Sequence, residues 1–189
     1  MDSQMKEIVG SLLSVIGTLE AAIGSTPFKG LTQDASYDLR LMGNTLQAVG
    51  GGLSADGQGS ISLEKLGDEI RTIGNSTVIA GLLINLENNT DQKIIITGNW
   101  LQALGSFVGL ADEFEDNTAS GRSFNIIGNL LQGIGNSMQG VGGTEQLYED
   151  KTSSTIGVVG SWIQTIGSVV SLIGQIKEET EEIQLNNNE

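Results

Sequence analysis

One segment of the chain, at residues 54–65, has the spacing of a metal site. Its Asp56, Gly59 and Ile61 occupy the third, sixth and eighth positions of an EF-hand calcium loop. The loop departs from that pattern at its ends, where Ser54 holds the first ligand position and Lys65 holds the twelfth, which should be a bidentate glutamate. We therefore predict no calcium site here, and interpret the segment as a glycine turn followed by a serine-capped helix start.

Other reactive residue types are scarce. The chain has no histidine and no cysteine, which removes the usual general base, the usual nitrogen metal ligand, disulfides and thiol chemistry. No Walker-type loop, GxSxG elbow or paired-carboxylate motif is present, and the acidic run at 112–116 is interpreted as solvated surface. We predict a protein that is not an enzyme, with no catalytic, cofactor-binding or metal-binding residues.

Charge restricts the partners. The formal net charge is −14 with only 9 basic residues, which argues against nucleic acid and against anionic membrane surfaces, since both attract lysine and arginine. No signal peptide opens the chain, so cytoplasmic residence is expected, with membrane association as the alternative. That alternative stays open because the stretches 123–144 and 152–176 carry no charge and are long enough to cross about 30 Å of hydrocarbon, although the mean hydropathy of the chain is only +0.00.

The dominant pattern is glycine at every seventh position within six blocks of the chain. The residues between the glycines repeat as well, as GNTLQAVG at 43–50, GNWLQALG at 98–105, GNLLQGIG at 128–135 and GSWIQTIG at 160–167. We letter each seven-residue repeat a to g, with the glycine at position a. At about 100° per residue along a helix, the apolar positions c, d and g lie together with a on one wide arc of the helix surface. The spacing predicts helices.

Each glycine inside a helix costs about 0.8–1 kcal/mol relative to alanine, so close helix packing is the expected return. We predict a glycine zipper, in which glycine seams let helix backbones approach more closely than usual. The predicted helix-packing residues are Gly17, Gly43, Gly50, Gly74, Gly98, Gly105, Gly128, Gly135, Gly160 and Gly167.

Turn-forming segments divide the pattern into six helices, at about 4–24, 34–52, 60–87, 91–112, 119–142 and 147–183. Short connections favour antiparallel neighbours. We predict an all-α fold, a single helical repeat domain over 1–185 with a polar tail at 186–189, built as an up-down array that is either a closed bundle or an open layer. The apolar arcs are expected to face inward, and the b positions (Asn44, Asn99, Asn129 and Ser161) to face water.

The units starting at Gly43, Gly98, Gly128, Gly135 and Gly160 resemble those of uncharacterised repetitive proteins of spore-forming Gram-positive bacteria. The resemblance implies no activity and no site. The leading interpretation is a non-enzymatic scaffold that self-associates, with glutamines at the e positions specifying packing (Gln47, Gln102, Gln132, Gln139 and Gln164). The alternative is a soluble helical protein that conditionally inserts its uncharged helices into membranes.

Overall fold

The computed structural model describes residues 1–115, 121–149 and 153–186. Over these ranges the chain forms six helices and no strand, which confirms the all-α prediction. The helices are α1 (Ser3–Ser25), α2 (Gln33–Gly57), α3 (Leu63–Leu83), α4 (Thr90–Glu115), α5 (Arg122–Glu149) and α6 (Thr155–Asn186), with a short 3-10 turn at Glu87–Asn89 before α4.

Side-chain caps fix where the first three helices begin. Asp2, Thr32 and Ser62 have extended backbones, and each accepts a hydrogen bond from the backbone N–H three residues on, at 2.9, 3.2 and 3.0 Å. These bonds satisfy amides that have no partner inside the helix. Gly59, with a φ of 63°, makes the turn between α2 and α3, where a residue with a Cβ would be strained.

Two helices, α2 and α5, end five or more residues beyond their predicted ends. α2 ends at Gly57 and α5 at Glu149, whereas the predicted ends were 52 and 142. The glycines interpreted as breaks are helical because they face neighbours: Gly51 lies against Thr72 of α3, and Gly142 lies against Gly157 of α6. The predicted start of α6 at 147 is correspondingly wrong. The predicted start of α5 at 119 and most of the polar tail lie outside the described residues.

The six helices form a closed antiparallel bundle. Consecutive helices pack against one another, most closely in the hairpins α1/α2, α3/α4 and α5/α6, and α1 packs against α6 to close the ring. Across that closing contact, Thr165 Oγ1 donates to the Thr18 carbonyl at 3.1 Å, and Trp162 Nε1 donates to Thr26 Oγ1 at 2.9 Å. The open layer that the sequence left as an alternative is therefore not the arrangement found.

Within each hairpin the backbones meet at glycines. A Cβ added to Gly17 would lie 2.5 Å from the Gly43 carbonyl oxygen, and one added to Gly43 would lie 2.5 Å from that of Gly17. Real Cβ atoms essentially never come closer than 3.0 Å to such atoms. All ten glycines predicted to pack helices are buried. The reciprocal pairs in the other two hairpins are Gly74 with Gly98, Gly135 with Gly160, and Gly128 with Gly167, while Gly50 faces Gly10 and Gly105 faces Gly67.

The interior of the bundle is polar, and this contradicts the sequence prediction. Asn44, Asn99, Asn129 and Ser161, expected to face water, are all buried, whereas the g positions Val49, Leu104, Ile134 and Ile166 are 55, 51, 40 and 56% exposed. Among the described residues, the buried apolar side chains are few and mostly small, namely Ala21, Ala22, Ala55, Val78, Ile95 and Ala103. The prediction is wrong because it assumed that the apolar side of each helix must face inward, as it does in water.

Adding one methyl group at two glycines tests the close contacts. A Cβ at Gly135 would lie 2.6 Å from the Gly160 carbonyl oxygen, and such overpacking costs about 1–3 kcal/mol. That cost exceeds the gain of about 1 kcal/mol in helix propensity. We expect Gly135→Ala to lower the thermal midpoint followed by circular dichroism.

Gly52→Ala is the matched control. Gly52 is also inside a helix, but the nearest atom to its added Cβ is Thr72 Cγ2 at 4.0 Å. With the new methyl group in open space, this variant should be more stable than the wild type by about 0.5–1 kcal/mol. Equal stabilisation by both substitutions would show that the contact at Gly135 is not tight.

Candidate functional site: a polar axis with one acidic end

A chain of polar side chains follows the axis of the bundle. The central cavity, of about 60 Å³, is lined from all six helices, with one residue each given by Ser14, Gln47, Asn75, Gln102, Asn136 and Gln164. These residues are inside because the glycine edge of each helix faces its hairpin partner, which turns the neighbouring b and e positions toward the axis. The axis is the part of the molecule with the densest polar chemistry.

Glutamines at the e positions form a hydrogen-bonded layer across the middle of the axis. Gln164 Nε2 donates to Gln47 Oε1 at 2.9 Å and to Gln102 Oε1 at 3.4 Å. Gln139 Nε2 in turn donates to Gln164 Oε1 at 2.8 Å. Four helices thus contribute one glutamine each, so the layer links non-neighbouring helices across the bundle. A buried network of this kind stabilises one arrangement, since each broken bond leaves a desolvated amide.

A partly buried ion pair forms the next layer, in which the Asp68 side chain is 4% and the Arg71 side chain 25% exposed. Arg71 pairs with Asp68 one turn earlier on α3, and its Nη1 also donates to Asn129 Oδ1 and to Gln132 Oε1, both at 3.3 Å. Asp68 accepts a further bond from Gln58 Nε2 at 3.1 Å. The charges are therefore paired and hydrogen-bonded, and these bonds offset the removal of the Asp68 carboxylate from water.

One end of the axis is acidic. Glu64 and Glu113 line the cavity beyond Asp68. Gln175 Nε2 donates to Glu7 Oε2 at 3.0 Å and to Glu179 Oε1 at 2.7 Å. Asn125 Nδ2 donates to Glu178 Oε2 at 2.9 Å. Carboxylates from α1, α3, α4 and α6 thus converge where these four helices begin or end.

Burial, together with the neighbouring carboxylates, shifts the protonation of Glu64. Removal from bulk water raises its pKa well above the ordinary 4.5, and the neighbouring charges of Asp68, Glu178, Glu7 and Glu113 raise it further. Glu64 lies in the first turn of α3, ahead of the charge-free part of that helix, which begins at 72.

The opposite end of the axis has a different character. A wider cavity of about 480 Å³ opens there, lined mainly by uncharged polar groups such as Gln92, Gln146 and Ser154. Arg40 is the single charged residue among its described lining residues. The axis therefore runs from an acidic end to an end that is nearly neutral.

The outer surface is apolar around its whole middle. Exposed side chains include Leu12 and Leu19 on α1, Met42 on α2, Ile73 on α3 and Leu130 on α5. No charge interrupts the sequence over 94–111 in α4, 123–144 in α5 or 155–176 in α6. We call this band of exposed apolar side chains the outer belt. Polar side chains also lie within it, namely exposed Thr45, Ser76 and Thr97, and Glu20 of α1, which is partly buried.

Three helices are individually long and apolar enough to cross a membrane, at Ser3–Ser25, Glu87–Phe114 and Thr155–Glu181. Both tyrosines of the chain, Tyr37 and Tyr148, are exposed beyond the charge-free stretches, at the end of the bundle opposite the acidic one. Amphipathic aromatic side chains favour that position at a membrane–water interface.

The segment at 54–65 is not a single loop. Its first residues end α2, and its last residues begin α3. Asp56 Oδ2 pairs with Lys6 Nζ at 2.6 Å, and Lys65 Nζ donates to the Gly59 carbonyl at 3.0 Å. In the described part of the chain, no group of three or more acidic side chains is placed to hold a metal ion. The last residue of the 112–116 run lies outside the described residues, and Glu113 is buried rather than solvated.

Sequence analysis missed the charged residues of the axis. Asp68 stood out only as a departure from the repeated unit, and Arg71 was not singled out. The sequence did contain a signal for these residues. Asp68 and Arg71 lie three residues apart in the glycine-bearing part of a helix, where most repeats carry no charge.

The protein is therefore of the closed all-α bundle class, with a polar axis and an apolar exterior. The chain belongs to a family described as Family of unknown function (DUF6944), whose profile matches residues 5–172. Neither a curated protein nor a solved structure matches the chain. The resemblance to repetitive proteins of spore-forming bacteria stays a prediction.

The raised pKa of Glu64 predicts how stability depends on pH. Between 4.5 and the raised value, the folded protein keeps a proton that the unfolded chain has released, so stability falls as pH rises through this window. We expect the thermal midpoint to rise on acidification from about pH 7 to about pH 5. Glu64→Gln should weaken this rise, because the amide has no proton to release.

Glu69→Gln is the control for that experiment. Glu69 is on the same helix, but it is exposed and does not line the axis. This variant should keep the wild-type pH profile. A profile that Glu64→Gln leaves unchanged, or a wild-type midpoint that falls on acidification, would contradict the assignment of the pH dependence to Glu64.

Proposed function

We propose that the protein is a non-enzymatic helical bundle that resides in a membrane, with the outer belt in contact with lipid and the polar axis across the bilayer. The observation that carries this proposal is the inverted distribution of side chains. Asn44 is 8% exposed, whereas Val49, five residues later on the same helix, is 55% exposed. In lipid the apolar face of a helix turns outward and polar groups find partners inside the bundle.

The height of the outer belt supports the proposal. At 1.5 Å per residue, the charge-free stretches of α4, α5 and α6 are about 27, 33 and 33 Å long, close to the roughly 30 Å hydrocarbon core of a bilayer. The corresponding stretches 8–19 of α1, 41–55 of α2 and 72–83 of α3 are shorter, at about 18, 22 and 18 Å. The belt is therefore uneven: it matches the hydrocarbon core along α4, α5 and α6, and is shorter along α1, α2 and α3.

Helix packing at small residues is a second support. Association between helices in lipid gains little from the hydrophobic effect, so membrane helices pack through glycine, alanine, serine and threonine. The hairpins here meet at glycine pairs such as Gly17 with Gly43. These contacts favour a glycine zipper within each hairpin.

A self-associating scaffold is the second candidate, and the same belt favours it. An exposed apolar band of this extent is unstable in water, and further copies of the chain would cover it as lipid does. The two candidates differ in whether the protein needs lipid or detergent to stay dispersed. The scaffold is a soluble assembly without lipid, whereas the membrane bundle requires detergent or lipid to stay dispersed.

Flotation with phosphatidylcholine liposomes, with light scattering of the same sample without lipid, separates the two. We expect the protein to float with the liposomes, to resist extraction by alkaline carbonate and to aggregate when detergent is removed. A defined soluble oligomer that stays at the bottom of the gradient would favour the scaffold. A soluble monomer that does not float would contradict both candidates.

A charge placed in the outer belt gives a sharper test. Ile166 is 56% exposed near the centre of the charge-free stretch of α6. A charge at the centre of a membrane helix costs about 2.5–3.5 kcal/mol, so Ile166→Asp should weaken insertion by roughly a hundredfold. The fraction of protein that floats with the liposomes, compared with the fraction left in the aqueous phase, measures the effect.

Ile61→Asp is the matched control, since Ile61 is 96% exposed but lies between α2 and α3, outside the belt. It should partition as the wild type does. If both substitutions act equally, position relative to the belt does not matter, and the membrane assignment fails.

A further inference from the structure

The guanidinium of Arg40 has no partner among the residues that the structure describes. Asn44 Nδ2 donates to the backbone carbonyl of Arg40 at 2.8 Å, but the Arg40 side chain itself forms neither an ion pair nor a hydrogen bond with them. Arg40 is only partly exposed, and it lines the wide cavity of about 480 Å³ at the end of the axis opposite the acidic one. Its five N–H donors are therefore free to bind water or a ligand in that cavity.

The positive charge of this cavity is not balanced by a carboxylate of the described residues. Asp34 and Asp38, on the same helix as Arg40, are exposed and do not line the cavity. Glu145 lies behind the wall, where it accepts a hydrogen bond from Ser154. Burial lowers the pKa of Arg40, and no described carboxylate contributes to that shift. A guanidinium keeps its proton throughout the physiological range, so the cavity carries one uncompensated positive charge.

Two uncharged amides on α4 add donors to the same cavity. Asn99 is 9% exposed, and its side chain forms no hydrogen bond with any described residue. Gln92 Nε2 donates to the Gly143 carbonyl and to Gln146 Oε1, both at 3.4 Å, which is longer than the usual 2.9–3.0 Å or so of an N–H···O bond. Both amides line the wide cavity. A buried amide without a partner in the protein indicates that water or a ligand satisfies it.

We propose that the wide cavity binds a small organic molecule through a group in which two oxygens share one negative charge, as in a carboxylate or a phosphodiester. Arg40 is the counter-ion, and Asn99 and Gln92 are further donors. The planar fork of a guanidinium matches such an oxygen pair. A second negative charge would find no cation among the described wall residues, and an unpaired charge away from bulk water is costly.

The size of the cavity suits a ligand larger than the charged group alone. Its volume of about 480 Å³ lies within the roughly 300–1,000 Å³ of small-molecule sites. The rest of the ligand would contact the uncharged polar walls. The inference goes beyond the proposed function and does not depend on it, because the cavity is a feature of the bundle whether lipid or other copies cover the outer belt.

The test measures thermal midpoints of the purified full chain in dodecyl maltoside, a detergent without charge. Sodium acetate and sodium dimethyl phosphate are each compared with sodium chloride at equal concentration, which keeps the ionic strength constant. A probe at about tenfold its dissociation constant should raise the midpoint by roughly 3–6 °C. A rise with acetate alone identifies a carboxylate site, and a rise with dimethyl phosphate alone identifies a phosphodiester site. Acetamide, the neutral analogue of acetate, should give no rise.

Substitution of Arg40 gives a result that a structural arginine would not give. Arg40→Gln removes an unpaired charge, so its midpoint in sodium chloride should equal or exceed that of the wild type, while the rise with the oxyanions is lost. Lys29→Gln is the matched control. Lys29 is exposed in the loop between α1 and α2 at the same end of the bundle and does not line the cavity. This variant should keep the wild-type response.

Three results would overturn the inference. They are equal midpoints in chloride, acetate and dimethyl phosphate, an oxyanion response that survives Arg40→Gln, and a midpoint of Arg40→Gln in chloride well below that of the wild type. Because the measurement is made in detergent, its outcome is independent of insertion. Protein that responds to the oxyanions but does not float with liposomes would overturn the membrane location alone, and protein that floats without such a response would overturn the oxyanion site alone.

Discussion

The backbone contact between glycines in each hairpin is the constraint on which the rest of the structure depends. At Gly17 and Gly43 no Cβ fits between the helices, so these edges must face one another. Once they do, positions b and e turn toward the axis, and positions c and g turn outward. Asparagine and glutamine at b and e, with leucine, isoleucine and tryptophan at c and g, then produce a polar interior and an apolar exterior.

A polar interior is stable only when its groups have partners. Gln164 has partners on three other helices, and Arg71 has three partners of its own. Such networks contribute little net free energy compared with apolar packing, but a broken bond is costly in a low dielectric. The network therefore specifies which helices face each other, while the glycine contacts bring the hairpin helices together.

The helices and their antiparallel order could be predicted, because the seven-residue spacing and the turn segments are local properties of the chain. Which side of each helix faces inward could not, because burial of apolar residues is a rule for proteins in water, and Val49 and Ile166 lie outside. The end of α2 was placed too early, since Gly51 was interpreted as a turn but packs against α3. Arg71 escaped notice because its partners on α5 are about 60 residues away in sequence.

Oxygen accessibility of nitroxide labels, scanned along 161–170 of α6 in liposomes, tests the inverted arrangement most directly. The chain has no cysteine, so single-cysteine variants carry one label each. Oxygen concentrates in lipid, so the account predicts maxima at the exposed positions Ile166 and Val169 and minima at the buried positions Gln164 and Ser168. The opposite phase, with maxima at Gln164 and Ser168, would contradict it.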